Sequence, residues 1–354
     1  DTYGGAIVCE NNSSPTIIDC AFENNEAGDT NSSFDNEFGG AVYCNSSSPN
    51  IINCTFRNNI AYWHGGAIYC YNSSSPTITN CTFSNSSATY YGGAIYCYNS
   101  SNPTVTNCTF TGNSANDCGG AIFCRNSSGP KVTNCTFCGN NAGSYGGAIY
   151  ATEFSSPTVT NCTFCGNSAN SGGAIFSYNS SSPTLNNCIL WGNTASSGNE
   201  IHIHNSSASC ELKYCCVDNT GYGGVTGNIK ENRCIHSDPQ FVDAANNDFH
   251  LKPTSPCIDS GSNSYVRTAR DIEDAPRKVD GDGDTTATVD IGAYEFHNII
   301  YVDGASGNDG NDGLSWAKAK ETIGAGIDAA GDYWAVFVAD ATYYETDLDF
   351  RGKK

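Results

Sequence analysis

The sequence of 354 residues has no methionine, only 16 Lys and Arg, and charged residues at just 15% of its length. The missing methionine includes the initiator, so the expectation is a processed chain or an excised part of a longer one. No apolar run approaches the roughly 20 residues that a membrane-spanning helix needs, so membrane insertion is not expected. A secretory leader is lacking too, as expected if one was removed during export. The few basic residues face 36 Asp and Glu, for a formal net charge of -20. Such a surface repels nucleic acid and anionic lipid, which excludes a nucleic-acid partner. Hydrophobic residues reach only 38%. Low hydrophobicity with high charge can mean disorder, but here the apolar residues recur at fixed positions, and disorder is rejected.

What is abundant is glycine (38), cysteine (20) and repetition. Gly92-Gly93-Ala94-Ile95-Tyr96-Cys97, answered by Thr104-Val105-Thr106-Asn107-Cys108-Thr109-Phe110-Thr111-Gly112-Asn113, returns 27 residues later from Gly119. Gly-Gly pairs begin at 4, 39, 65, 92, 119, 146 and 172, with a degenerate copy, Gly198-Asn199-Glu200-Ile201, after them. Spacings of 26–27 dominate, and the one of 35 places its extra residues in 26–38, a surface loop. A period this short describes one supersecondary unit that buries its apolar face by stacking on its neighbours.

Each copy reads as three short strands, for instance Ala67-Ile68-Tyr69-Cys70, Thr77-Ile78-Thr79 and Cys81-Thr82-Phe83, with a Ser-Pro turn after the first. Two-residue alternation puts Ile68 and Cys70 on one side and Ala67 and Tyr69 on the other. A left-handed bend at Asn80 resets the parity, so that Cys81 and Phe83 point inward. The fold class expected is all-β: a right-handed parallel β-helix with three strands per 26–27-residue coil, an irregular C-terminal cap and a short amphipathic helix near the C-terminus. Residues 1–205 form the repeat array, 206–297 decaying coils and an acidic closing region, and 298–354 a further segment. Columns of Ile, Phe and Asn would stack about 4.8 Å apart, with the asparagine column (Asn53, Asn80, Asn107, Asn134, Asn161, Asn187) buried and hydrogen-bonded along the rod.

Gly-Gly-Ala-Ile followed by Phe-x-x-Asn (Phe56–Asn59, Phe110–Asn113, Phe137–Asn140, Phe164–Asn167) resembles the repeat of chlamydial polymorphic outer-membrane proteins. It equally resembles secreted bacterial right-handed β-helix repeat proteins. Ser86 in place of the Asn and Leu190 in place of the Phe depart from the pattern. The resemblance covers about 200 residues; it implies an exported β-helix, and adhesion only where a membrane barrel accompanies it, which nothing here resembles. Ser255-Pro256-Cys257-Ile258-Asp259-Ser260-Gly261 and Asp290-Ile291-Gly292-Ala293-Tyr294-Glu295 resemble the closing region of such proteins. Residues 298–354 resemble the opening of a following β-helix: a strand, a capping helix with Trp316, Ala319, Ile323 and Ile327 on one face and Ser315 as N-cap, then a strand. The chain is therefore either a slice of a tandem protein or a subunit that stacks end to end on copies of itself.

Most cysteines fall in two columns and are expected as small buried hydrophobes. Cys138 and Cys165, just after the Phe positions, and Cys234 and Cys257, where the repeat decays, are disulfide candidates. Asp280, Asp282 and Asp284, separated by glycines, with Asp290 beyond, are the candidate ligands for calcium, against the alternative of a solvated acidic turn. Asn-x-Ser/Thr sequences at Asn12, Asn45, Asn72, Asn99, Asn126, Asn179 and Asn205 are candidate glycan sites, or simply good turn sequence. Tyr71, Tyr98 and Tyr178 are expected as an exposed row able to bind sugars or a neighbouring rod. Charged side chains along the array occur singly, and His202 and His204 share a strand face without an identifiable Ser or Cys partner. No enzyme is expected. The function expected is an exported structural rod or filament; the alternatives are a surface adhesin binding cell-surface or matrix glycans, and a polysaccharide lyase or hydrolase.

Overall fold

Twenty-seven residues of one repeat hold four short extended pieces and four bends. In the coil that begins at Gly92 these are Ile95–Tyr98, Thr104–Thr106, Thr109–Thr111 and the two-residue strand Ser114–Ala115. In this computed structural model, which describes residues 3–28, 37–282, 284–311, 313, 316–331, 334–345 and 348–349, corresponding pieces pair in parallel and in register. Ile95 faces Ile122, Tyr96 faces Phe123 and Cys97 faces Cys124. Four parallel sheets result, of nine, nine, eight and seven strands, here numbered 1 to 4 in the order the chain visits them. The three strands expected per coil are sheets 1 to 3. The fourth was not foreseen, because two residues are too few to show a period. Residues 29–36 of the expected 26–38 loop lie outside the described residues.

Two kinds of bend make the coil close. The asparagines at 53, 80, 107, 134, 161 and 187 all sit at φ between 51° and 53°, a left-handed conformation that Asn tolerates better than other side chains. At Gly92 φ is +69°, and a Cβ on Gly93 would lie 2.2 Å from the Gly120 carbonyl oxygen and 2.4 Å from that of Ser114. Neighbouring coils touch backbone to backbone there, so only glycine fits. Ala67, expected outside with Tyr69, is turned into the core, because it lies in this bend ahead of the strand.

Inside, Phe56, Phe83, Phe110, Phe137 and Phe164 stack at 4.6–4.8 Å, within 5° of parallel. At the bends the backbone N–H points inward, away from any sheet ladder, and a buried unpaired N–H is costly. At most bends a side chain of the next coil accepts it, while the Ser74 and Ser181 N–H groups turn to the Tyr71 and Tyr178 carbonyls of their own coil. The Cys81 N–H reaches the Cys108 sulfur at 3.4 Å, while the Cys108 thiol donates to the Thr106 carbonyl at 3.2 Å. The Asn113 N–H reaches Asn140 Oδ1 at 3.0 Å, and the Ser101 N–H reaches Ser128 Oγ at 3.1 Å. The column cysteines are buried as expected, but they are hydrogen-bonding members of the core and not merely apolar filler.

The asparagine column at positions 53 to 187 does carry side-chain bonds along the rod, such as Asn80 Nδ2 to Asn53 Oδ1 at 3.2 Å. It is not inside, however. Asn53 and Asn80 are exposed, and Asn134, Asn161 and Asn187 are buried only where a later segment covers them.

That segment is the acidic closing region. The parallel ladder runs past residue 205 to Asn232. Residues 236–297 then fold back along the flank of the rod. Asn134 Nδ2 donates to the Arg270 carbonyl at 2.8 Å, Ser262 N–H to Asn187 Oδ1 at 2.9 Å, and Ala293 N–H to Thr163 Oγ1 at 3.1 Å. The expectation of a cap over the last coil is corrected: the segment covers the outer face of sheet 3. Residues 298–345 follow as a parallel pair, Ile299–Val302 with Ala335–Val338, crossed by helix Ile323–Ala329. The expected helix from Trp316 is broken. A 3-10 turn, Trp316–Lys318, is followed by a bridge in which the Lys320 N–H donates to the Tyr301 carbonyl at 2.8 Å, drawing the chain out of helical path. Thr322 is the N-cap, its hydroxyl accepting from Ala325 N–H at 3.1 Å; Ser315 lies outside the described residues.

Replacing Cys108 by Ala removes the acceptor of the Cys81 N–H and leaves a small void, and is expected to destabilise the rod by about 2–3 kcal/mol. Cys108→Ser keeps donor and acceptor and should cost less. Urea denaturation of the two variants checks this; equal losses would mean that the sulfur acts by volume alone.

Candidate functional site

Along sheet 1 the residue between the inward Ile and Cys points outward. Tyr43, Tyr69, Tyr96, Phe123, Tyr150, Phe176 and His202 therefore form a continuous file, with ring centres 4.8–5.6 Å apart. Rings from the residue before five of the glycine pairs (Tyr3, Phe38, His64, Tyr91 and Tyr145) flank it, and His64 lies flat between Phe38 at 5.4 Å and Tyr91 at 4.8 Å. Burial pushes the His64 pKa down to about 4, so near neutral pH it is one more uncharged ring. The flanks bury the central file almost completely: Tyr96 is 2% exposed. The accessible rings are at the margins. Tyr90 is 42% exposed and meets the half-buried Trp63 at 5.4 Å.

The expected row of Tyr71, Tyr98 and Tyr178 is only partly continuous. Tyr71 and Tyr98 stack at 5.6 Å, but the next coil supplies Arg125, whose guanidinium lies 5.8 Å over the Tyr98 ring and 2.9 Å from the Glu153 carboxylate. Tyr178 is three coils further and packs edge-on against His204 at 4.8 Å. Trp63, Tyr90 and the central file were missed from the sequence, although an aromatic recurs between Ile and Cys in copy after copy. The His202 ring does have a serine beside it, Ser197 Oγ at 3.1 Å from Nδ1. It also lies flat on Phe176, and burial lowers its pKa; among the described residues no carboxylate bonds to its ring. A shallow groove of about 540 Å³ on sheet 4, lined by Asn141, Ser168, Asn170 and Thr194 among others, offers hydroxyls and amides but no acid or base.

The four aspartates expected as calcium ligands do not converge. Asp280 and Asp282 come together with Asp259, one oxygen of each lying within 4.8 Å of the others. Asp259 was quoted in the closing motif but not read as a ligand. Its carboxylate anchors turns, with Oδ2 accepting the N–H groups of Gly281 at 2.7 Å and Asp282 at 2.8 Å. Asp284 is exposed and accepts the Thr286 N–H at 2.7 Å. Asp290 is buried and accepts the Asp259 N–H at 2.7 Å, as part of a knot with Arg277 and Glu295. There the fully buried Arg277 donates to the carbonyls of Gly292 and Ala293 and lies 3.9 Å from the Glu295 carboxylate. Burial pushes the carboxyls of both Asp290 and Glu295 upward despite that arginine. Glu200 is likewise interior: it ends the inner asparagine ladder by accepting from Asn193 Nδ2 at 2.6 Å, and burial raises its pKa to about 7.

None of the twenty cysteines is bonded to another in this structure. Cys138 and Cys165, expected as a bridge, are ladder neighbours on the outer face of sheet 3, beneath the closing segment, and the Cys138 thiol donates to Asn247 Oδ1 at 2.7 Å. Cys234 packs against the end of the inner cysteine ladder, its thiol donating to the Leu212 carbonyl at 3.7 Å, and Cys257 lies in one buried cluster with Cys216. The turn asparagines carry their own amide ladder, with Asn72 Nδ2 on Asn45 Oδ1 at 3.0 Å and Asn99 Nδ2 on Asn72 Oδ1 at 2.6 Å. At Asn72, Asn99 and Asn126 the nitrogen to which a glycan would attach is thus engaged.

A parallel β-solenoid with a Ser/Thr/Asn exterior, one aromatic face and a folded-back acidic segment is the class these features define. Residues 39–232 match the family model described as a right handed beta helix region, and the chain belongs to that family. No curated protein matches the chain.

Because the carboxyls of Glu200, Asp290 and Glu295 sit above their ordinary range of about 4, the folded state holds more protons than the unfolded one between the two values. Their contribution is complete at acid pH and is lost as pH rises, for Glu200 through about 7. Hydrogen exchange of residues 236–297, corrected for intrinsic rates, should therefore lose protection from about pH 5 to about pH 9. Glu295→Gln should flatten the profile; protection that rises with pH would contradict the assignment.

Proposed function

We propose that the chain is a structural rod of the cell exterior, with no reaction of its own, that holds glycan on the aromatic face of sheet 1. The observation that carries this reading is the marginal pair Trp63 and Tyr90, accessible rings at the edge of a continuous aromatic tract on an otherwise hydroxyl- and amide-rich surface. Clustered exposed aromatics mark interaction sites, and Trp and Tyr combine an apolar body with a polar handle, which suits a sugar with apolar faces and hydroxyl edges. An address outside the cell is supported by the resemblance of the repeat phrases to exported proteins. The cysteines do not oppose it, since most are buried in the core, out of reach of oxidants. A role without chemistry is supported by the commitment of Glu200 to an interior ladder and of Arg57, Arg125 and Lys213 on the flanks to ion pairs with Glu23, Glu153 and Glu211.

Binding to immobilised neutral polysaccharides such as cellulose, chitin and mannan tests the reading. The double variant Trp63→Ala/Tyr90→Ala should bind roughly 30-fold more weakly, about 2 kcal/mol, with an unchanged circular dichroism spectrum. Binding unaffected by the substitutions, or turnover of any of these polymers, would sink it.

End-to-end growth is a second proposal, supported by the unbroken parallel register of coil on coil, since the strand edges at the end of any such solenoid accept further parallel strands. Negative-stain electron microscopy should show rods that lengthen with protein concentration; rods of one length at every concentration would rule it out.

A further inference from the structure

We propose that Cys216 and Cys257 form a disulfide that fastens the closing segment to the last coils of the rod. The segment is a separate layer: Phe241, Phe249, Leu251, Ile258 and Ile291 pack with Cys257 against Ile189 and Cys216 on the outer face of sheet 3. Cys216 belongs to the strand Cys216–Val217, held on one side by the Cys188 carbonyl at 2.9 Å. Cys257 sits in an irregular turn, its carbonyl accepting the Ile291 N–H at 3.0 Å and its N–H bonding to Ser255 Oγ at 3.1 Å. The two side chains are both fully buried in that one cluster, where the Cys216 thiol donates to the Ser237 carbonyl at 3.2 Å.

This pair differs from the other cysteine contacts. Cys97 with Cys124, and Cys138 with Cys165, are ladder partners on adjacent parallel strands. Their side chains run side by side, and the near-perpendicular torsion of a disulfide would require a coil to move. Cys216 and Cys257 meet across a packing interface between two segments, where no register holds the sulfurs parallel. A bond there closes a long loop and removes freedom from the undocked state.

The chemistry is thiol–disulfide exchange with a low-molecular-weight disulfide as oxidant. Before the segment docks, the Cys257 thiolate attacks the oxidant, forming a mixed disulfide and releasing one small thiol. On docking, the Cys216 thiolate attacks the Cys257 sulfur and releases the second small thiol. Two protein thiols lose two hydrogens and two electrons, and the oxidant gains both. The neighbouring Cys257, with burial behind it, holds the Cys216 thiol well up once the layers have closed, so both exchange steps run before the segment is fully seated.

The full chain, refolded from denaturant in a glutathione redox buffer, is alkylated under denaturing conditions and mapped without reduction. Eighteen alkylated thiols are expected, the twenty less the two that are joined, with one linked peptide pair containing Cys216 and Cys257. The variant Cys138→Ser/Cys165→Ser, which lacks the one other pair on that face, should give the same link. Twenty alkylated thiols, or a link at any other pair, would overturn the proposal. Because the readout is covalent connectivity, it stands apart from whether the aromatic face binds glycan.

Discussion

Each coil turns its chain inward at the bends, and each inward turn strands a backbone N–H in a dry core. Everything else in the rod follows from how those groups are satisfied. No sheet ladder can reach them, and a buried N–H without a partner costs about 1–3 kcal/mol. The solution is a side chain supplied by the next coil, short enough to stay in the corner and able both to accept and to donate: serine after sheet 1, cysteine after sheet 2, asparagine after sheet 3. Since at most bends the partner comes from the neighbour, no coil is complete by itself. That dependence, more than the stacking of phenylalanines, makes the repeat obligatory.

Much of this was legible. The Gly-Gly spacing, the β-branched pairs and the alternation specify short parallel strands, and the left-handed asparagine bends follow from parity. The face of each asparagine column was not legible. Asn107 and Asn113 are six residues apart in the same phrase; the first turns outward, and the second hydrogen-bonds inside, its Nδ2 on the Phe83 carbonyl at 3.0 Å. Composition cannot distinguish them, because the choice depends on which bend each occupies. Thiols pose the same difficulty: an inward cysteine reads as a small apolar residue until its N–H and carbonyl partners are known.

The folded-back segment was hidden for a different reason, although it left a trace. The outward position of sheet 3 runs Glu23, Arg57, Ser84 and Thr111, then changes to Cys138, Cys165 and Trp191. The change marks where the surface stops meeting water. Reading Cys138 and Cys165 as a pair drew attention to their chemistry, when the loss of polarity beneath a distant segment is what they record. A contact between residues more than a hundred positions apart, such as Asn134 with Arg270, has no local signal at all. The aspartates suffered from the same distance: alternating carboxylates suggested one loop, but Asp290 is drawn into a buried knot and Asp259 takes its place beside Asp280 and Asp282.

The aromatic face shows what a solenoid gains from strict register. In a globular core an outward tyrosine is an isolated event, whereas here one substitution in the repeat is copied every coil and becomes a line. The central rings are then shielded by their own neighbours, so that the file stiffens sheet 1 and only the margin stays accessible. Stability and accessibility are thereby separated on one surface. Tyr96 and Phe123 cannot change without loosening the stack, while Trp63 and Tyr90 can vary from coil to coil, and in the next coil that lateral position already holds Asp117. A rod of this kind can alter what it holds without altering how it folds, because its fold is fixed by the corners and its contacts are made at the edge.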